Sequence, residues 1–503
     1  MISHLTVLPV ALPLLTAMLL LFQRHGQVRF KRVLSVTSTF MLVLISSALV
    51  IQADSGEITY YALGNWQPPF GIVLVLDRLS ALMVLLSSLL ALGCVIFACA
   101  GEDVRGSNFH GLFQLQLLGI NGAFLTGDLF NLFVFFEVLL LASYALLLHG
   151  GGKARIQSAV HYVVLNMAGS ALFLIAVGTL YGATGTLNMA DMAVRISHLP
   201  AEREGLVMAG ALLLLVVFSL KAAMLPLYFW LPKAYAAAPA PVAALFAIMT
   251  KIGIYAILRF YTLVFGEQAG GLANLGQEWV WWLALLTLVA ATIGVLASRD
   301  LRQLIAYLLL ISVGTLLAGI GMGSTAAVSA LLYYLAHTTL VTGALFLLAE
   351  MIGAQRGKAG TRIVKGRKMP HSSILSLAFF IAAIAVVGMP PLSGALGKVL
   401  MMDAAAGTQR FWLWPLLLLS GLAGIIALSR AGSTFFWRAQ GGDDNNERIS
   451  RRQWTGVALL LLTSPLLVIF AGSVSEYAQA TAEQLANPEA FIDALLINTG
   501  GAQ

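Results

Sequence analysis

Five residues of this 503-residue chain are out of keeping with their surroundings: Glu137, Lys221, Lys251, His337 and Lys398. Each lies inside or beside an apolar run. A charged side chain at mid-bilayer costs about 2.5–3.5 kcal/mol or more, so it faces a partner, the protein interior or a water path. A lysine stripped of water can shed its proton near neutral pH, and imidazole titrates in the same range. A carboxylate close to a lysine favours the charged form of both. Together these residue types can pass protons without any covalent step. Glu137 is the expected partner of Lys221. Plainer readings compete with these. Burial could hold Glu137 neutral, the lysines could snorkel or pair structurally, Lys398 could anchor a helix end, and His337 could make an ordinary polar contact. His161 is a weaker relay candidate. Asp77-Arg78 reads as a local ion pair or as part of a subunit edge.

The composition says what must position these groups. The chain is 59% hydrophobic and 10% charged, with a mean hydropathy of +0.89. That balance excludes a soluble domain and marks a polytopic membrane protein. Apolar runs of spanning length fall at 5–22, 33–51, 72–100, 109–126, 129–148, 156–181, 206–235, 241–265, 279–298, 301–322, 326–350, 371–404, 411–437 and 453–474, which predicts fourteen transmembrane helices. Helix 7 is broken by Pro226 and Pro232, and helix 12 by Pro390 and Pro391. Helix 8, with Lys251, runs unbroken. Alternate loops then hold twenty Lys and Arg residues on one side and three on the other. The positive-inside rule puts the basic side in the cytoplasm and both termini on the far side. This distribution accounts for the net charge of +7, which therefore does not indicate nucleic-acid binding. The run at 5–22 reads as a retained first helix rather than a leader peptide.

The chain repeats itself. Leu225-Pro-Leu-Tyr-Phe-Trp-Leu-Pro-Lys233 matches Pro390-Pro-Leu-Ser-Gly-Ala-Leu-Gly-Lys398. Asp128-Leu129 matches Asp300-Leu301, Tyr162 matches Tyr334, and the run from Ala171 matches that from Ala344. The unit is five helices, 4–8 against 9–13. Five is odd, so the second copy is upside down, and inverted repeats with discontinuous helices characterise ion-coupled transporters. The predicted divisions are 1–108 (helices 1–3), 109–265 (first repeat), 279–437 (second repeat) and 438–503 (helix 14 and an acidic tail). A helix break inside lipid frees backbone groups that need protein or water, so both breaks are expected to line hydrated space. No nucleotide loop, CxxC pair or HExxH appears, and Cys94 and Cys99 lie in an apolar run, so no cofactor or metal is predicted.

Four stretches carry a family resemblance: Leu76–Met83, Phe136–Leu147, Lys221–Phe260 and Arg299–Gly314. They resemble the antiporter-like subunits of respiratory complex I and of the Mrp (Mnh/Pha) cation/proton antiporters, most closely the Mrp branch. The resemblance implies Glu137 and Lys221 as a coupling pair, Lys251 as the central proton carrier, Lys398 as the terminal lysine and His337 as a relay. It also implies a hetero-oligomer with other antiporter subunits, exchanging H⁺ for Na⁺ or K⁺ in a bacterial cell membrane. Many relatives carry a lysine shortly after the histidine. This chain has Thr338 and Thr342 there, so hydroxyls and water would have to carry the link from Lys251 to Lys398. A proton-pumping subunit of a complex I-like or hydrogenase complex is the alternative.

Overall fold

The computed structural model describes residues 2–23, 26–439 and 449–496. Helices α1 (Leu8–Phe22) and α2 (Val28–Ala53) precede a short antiparallel hairpin, β1 (Thr59–Ala62) and β2 (Val73–Leu76). Then come α3 (Arg78–Ala98), α4 (Phe109–Leu125), α5 (Leu129–Leu147), α6 (Lys153–Thr184), the short amphipathic α7 (Met189–Ser197) and α8 (Ala201–Ala222). The middle holds α9 (Trp230–Ala237), α10 (Ala240–Leu245), α11 (Met249–Val264), α12 (Gln277–Ala297), α13 (Leu301–Met322) and α14 (Thr325–Gln355). The chain closes with α15 (Ser372–Val387), α16 (Ser393–Asp403), α17 (Gln409–Gly432), α18 (Arg451–Leu461), α19 (Thr463–Ile469), α20 (Ala471–Ala486) and α21 (Pro488–Leu496).

Among the described residues, twelve helical stretches are long and apolar enough to cross a membrane. Two expected spans fall outside that set. One is α4, which has 17 residues, and the other is divided between α15 and α16. The all-α expectation thus gains a small hairpin. Residues 73–76, expected to open helix 3, form its second strand, because Asp77 caps α3 and fixes its start. Its carboxylate accepts from the Ser80 backbone N–H while the Ser80 hydroxyl accepts from the Asp77 N–H, a reciprocal capping box.

The repeat matches have structural counterparts. Asp128 and Asp300 both cap helices. Each also sits in an isolated antiparallel bridge, Asp128 with Asn188 and Asp300 with Arg362. The two breaks share one backbone pattern. Ala223 and Gly388 adopt left-handed φ of 62° and 84°. Met224 N–H donates to Ser219 O as Met389 N–H does to Ile384 O, and Leu227 N–H donates to Met224 O as Leu392 N–H does to Met389 O. Glycine takes this conformation freely; alanine at 223 carries a modest strain.

Two local expectations are corrected. The break spans 223–229, and Pro232 lies in the first turn of α9, where a missing N–H costs nothing. Helix 8 is not uniform: a 3₁₀ turn at Phe246–Ile248 separates α10 from α11 just before Lys251. At the breaks, Pro226, Pro390 and Pro391 are exposed, and protein groups meet part of the freed backbone. Thr287 Oγ1 accepts from Leu225 N–H at 2.9 Å, and Trp230 Nε1 donates to Leu220 O at 3.2 Å.

The acidic tail folds as α20 and α21 and packs against α3, α7, α11 and α14. Asp77 does not pair with its neighbour Arg78. It receives Arg259 of α11 at 2.6 Å, and Phe491 of α21 stacks on that guanidinium at 5.3 Å. Arg78 instead donates to Asp54 O at 2.7 Å.

Candidate functional site

Lys251 and Lys221 come together because α11 packs directly on the end of α8. Gly253 makes this approach possible: a Cβ there would lie 2.4 Å from Ala222 N and 2.8 Å from Lys221 C. Both lysines are buried, Lys251 with no exposed surface and Lys221 with 5%.

Glu137 and Lys221 do not form a direct ion pair. Residues of α6 stand between them. Lys221 Nζ donates to Asn166 Oδ1 at 3.2 Å and to Asn166 O at 3.4 Å. The Ser170 hydroxyl, one turn on, lies against Glu137 Oε1 and 3.0 Å from Asn166 O. The connected order is therefore Glu137, Ser170, Asn166, Lys221. Phe136, beside Glu137, places its ring 5.8 Å below the ammonium. Glu137 itself is half-buried. His161, also on α6, points outward and joins nothing in this group.

From Lys251 the contacts run toward the second half of the chain. Its Nζ donates to Ser312 Oγ of α13 at 3.2 Å. One turn along α13, Thr315 Oγ1 donates to Ile311 O of its own helix at 2.8 Å, and Tyr334 lies on the facing α14. The Tyr334 ring lies 5.9 Å from that of His337, one turn further. His337 Nδ1 meets Ser393 Oγ at 2.7 Å, and Ser393 Oγ meets Ser464 Oγ at 2.8 Å. Ser393 opens α16, and Lys398 stands five residues on. Lys398 Nζ donates to Val387 O at 2.6 Å. That carbonyl is one of the orphans at the C-terminal end of α15, where a cation is favoured. Gly394 allows the crossing, since a Cβ there would fall 2.0 Å from Ala385 O.

The structure thus joins Glu137 to Lys221 through Ser170 and Asn166 and gives Lys251, His337 and Lys398 a separate polar partner each. Asn166, Ser170, Ser312, Thr315, Tyr334, Ser393 and Ser464 were not recognisable in the sequence, because a hydroxyl or amide in an apolar helix is common. Tyr334 alone carried a signal, as the repeat partner of Tyr162. Thr342 has no part in the series of contacts; its hydroxyl is buried without a partner among the described residues. Lys233, the repeat partner of Lys398, is exposed, so the repeat preserves the break but not the burial of this lysine.

A second polar cluster joins the start of α2 to the segment between α3 and α4. Asp103 accepts from Arg32 through both oxygens, at 2.6 and 2.7 Å, and contacts His110 Nε2 at 3.1 Å. Burial alone would raise the Asp103 pKa, but the bonds from Arg32 and His110 outweigh it and hold the carboxyl at about 2. Cys99 lies close enough for its sulfur, the carboxylate and the imidazole to fall within 4.8 Å of one another. Arg32 already takes both carboxylate oxygens, so the arrangement is an ion-pair network rather than an open ligand set.

Residues 126–423 match the family described as NADH:quinone oxidoreductase/Mrp antiporter, TM. The chain belongs to this family. It is 42% identical to a probable K(+)/H(+) antiporter D subunit of Rhizobium meliloti, covering 97% of this chain and 96% of that one. It is 38% identical to the D subunit of the Na(+)/H(+) antiporter of Bacillus subtilis, over 98% and 99% of the two chains. Among solved structures, it aligns with the Mrp complex from Dietzia sp. at a TM-score of 0.87 and 26% identity, covering 98% of this chain and 99% of the other.

Proposed function

We propose that this chain is the D subunit of a multisubunit Na⁺/H⁺ or K⁺/H⁺ antiporter and supplies a proton path through it. The path runs along Lys221, Lys251, His337 and Lys398, with Glu137 setting the charge of Lys221. No covalent chemistry takes part, so the protein is a transporter subunit and not an enzyme. The observation that carries this reading is that each buried lysine and His337 meets a neutral polar group: Asn166 at Lys221, Ser312 at Lys251, Ser393 at His337 and the Val387 carbonyl at Lys398. Among the described residues, none of these lysines has a direct ion-pair partner. A purely structural role gives no reason to hold such groups in an apolar bundle.

The architecture we favour has fourteen spans, counting α4 and the broken α15–α16 along with the twelve longer stretches. Two inverted five-helix repeats cover 109–265 and 279–437, flanked by 1–108 and 438–503. The shared backbone pattern at the two breaks and the paired bridges at Asp128 and Asp300 support it. The excess of Lys and Arg in alternate loops places the basic face in the cytoplasm of a bacterial cell and both termini opposite. The other antiporter subunits are its partners. Full-length relatives that are antiporter subunits favour this reading over a pumping arm of a redox complex.

The test is cation-driven proton movement in inverted vesicles carrying the complete complex. Lys251→Ala should abolish the cation-induced pH change, and Glu137→Ala should do the same. Full activity of a Lys251→Ala complex present at normal level refutes the path.

A further inference from the structure

At the basic face of the molecule, the first turns of α2 and α18 flank a cleft. Its walls are Val28, Arg29, Arg32, Val33 and Arg452, and its volume is about 600 Å³. The two helices stand on either side of α3, on which both pack. Arg32 is tied to Asp103, and Arg452 donates to Cys99 O at 2.7 Å. These bonds anchor both side chains to one side of the cleft. Arg29 is exposed. Asp103 offsets one of the three charges, so the lining keeps a positive excess among the described residues. Phe30 and Val33 are exposed beside it, at 47% and 60%, and Trp454 is half-buried one turn into α18. Below the arginines, the partly open side of α3 shows Leu82, Leu89 and Ile96. An arginine-lined cleft above an apolar strip, with aromatic residues at the boundary, matches a phospholipid in both its parts.

We propose that this cleft binds the phosphate headgroup of an anionic phospholipid, with its acyl chains lying along α3 between α2 and α18. Guanidinium groups suit phosphate because their N–H donors match two phosphate oxygens at once. A membrane lipid fits better than free phosphate because the charged cleft continues into an apolar strip, which a free ion cannot use. The lipid would also tie α2 to the helix that carries Ser464 on its continuation. The proposal is independent of the proton path, and either can fail alone.

The experiment is native mass spectrometry of the purified complex in phosphatidylglycerol or phosphatidylcholine. The wild-type complex is compared with Arg29→Gln and with Arg29→Gln/Arg452→Gln. A basic residue near the membrane surface contributes roughly a five-fold gain in affinity for anionic lipid. Retention of phosphatidylglycerol should therefore fall about five-fold in the single variant and about 25-fold in the double. Lys233→Gln, an exposed basic change outside the cleft, should leave it unchanged. Added inorganic phosphate should not displace the lipid. Arg29→Gln alone leaves every contact described above intact, so its result does not depend on whether the double variant assembles. Equal retention of the two lipids, wild-type retention by Arg29→Gln, or displacement by phosphate overturns the proposal.

Discussion

The Ser170–Asn166 connection makes the sharpest prediction. Ser170→Ala removes one oxygen and leaves the backbone of α6 intact. Glu137 then loses a hydroxyl donor, and its link to Asn166 is cut. Asn166→Leu goes further: Lys221 Nζ, on a side chain 5% exposed, keeps only the main-chain carbonyl of residue 166, at 3.4 Å. A hydrogen bond to a charged group contributes about 1.5–3 kcal/mol. Losing it should shift the balance between charged and neutral Lys221 by roughly 10- to 100-fold. The pH at which transport is half-maximal should therefore move by about one unit or more in Asn166→Leu. In Ser170→Ala the profile should shift less, because Lys221 keeps its own bonds. The assay is a pH series of cation-driven fluorescence change in inverted vesicles, with the complex quantified in each preparation. A merely structural role would lower the amount of complex and leave the profile of the remainder in place. A wild-type profile in Asn166→Leu vesicles refutes the connection.

Two further outcomes follow from packing and charge. Gly253→Ala places a methyl against the backbone of Ala222 and Lys221, and such overpacking costs about 1–3 kcal/mol. The thermal midpoint of the purified complex should fall and transport should fall with it; unchanged values for both would show that the helices do not meet as described. Asp103→Asn removes the carboxylate that Arg32 and His110 hold at a pKa of about 2. Relative to an ordinary value near 3.9, this contributes about 2.5 kcal/mol. Because the folded value is depressed, the contribution is complete above about pH 4 and is lost as pH falls toward 2. The difference in midpoint between wild type and Asp103→Asn should thus shrink as pH falls from about 5 toward 3, and a difference that does not change there argues against the ion pair.

The length of the apolar runs made the spans legible because lipid imposes one rule along the whole chain: each segment satisfies its own backbone and shows apolar side chains outward. The buried lysines were legible for the same reason, as costs without an obvious return. The hairpin was not, since Val73–Leu76 is as apolar as a helix start and only the Asp77 cap divides them. Nor was the pairing of Asp77 with Arg259. The neighbouring Arg78 is the nearer choice in sequence, and the true partner is 182 residues away. Nor were the protein partners of the groups freed at the breaks: Thr287, Trp230 and Lys398 meet three of them, and no pattern in a single chain marks such distant partners.

The link between Lys251 and Lys398 looked weakest because the chain lacks a lysine after His337. The structure changes what that absence means. A lysine in this stretch would need its own counter-charge or solvent in α14, whose spanning window is entirely buried. In its place stand neutral groups that can both donate and accept: Ser312, Thr315, Tyr334, His337 and Ser393. A hydroxyl can take a proton on one lone pair and release another from its O–H, so a row of them transfers charge without any member storing it. A lysine stores the charge. On the proposed path the two tasks are separated, with Lys251 and Lys398 as the proton holders at the ends and neutral groups standing between them. His337 stands where the proposed path turns from α14 into α16. On that path, its hydrogen bond to Ser393, the first residue of α16 after the break, would couple the relay to the position of the broken helix. A shift of α16 by one hydrogen-bond length would part His337 from Ser393 and interrupt the row, which gives the second break a purpose that the first, with Lys221 ahead of it, does not share.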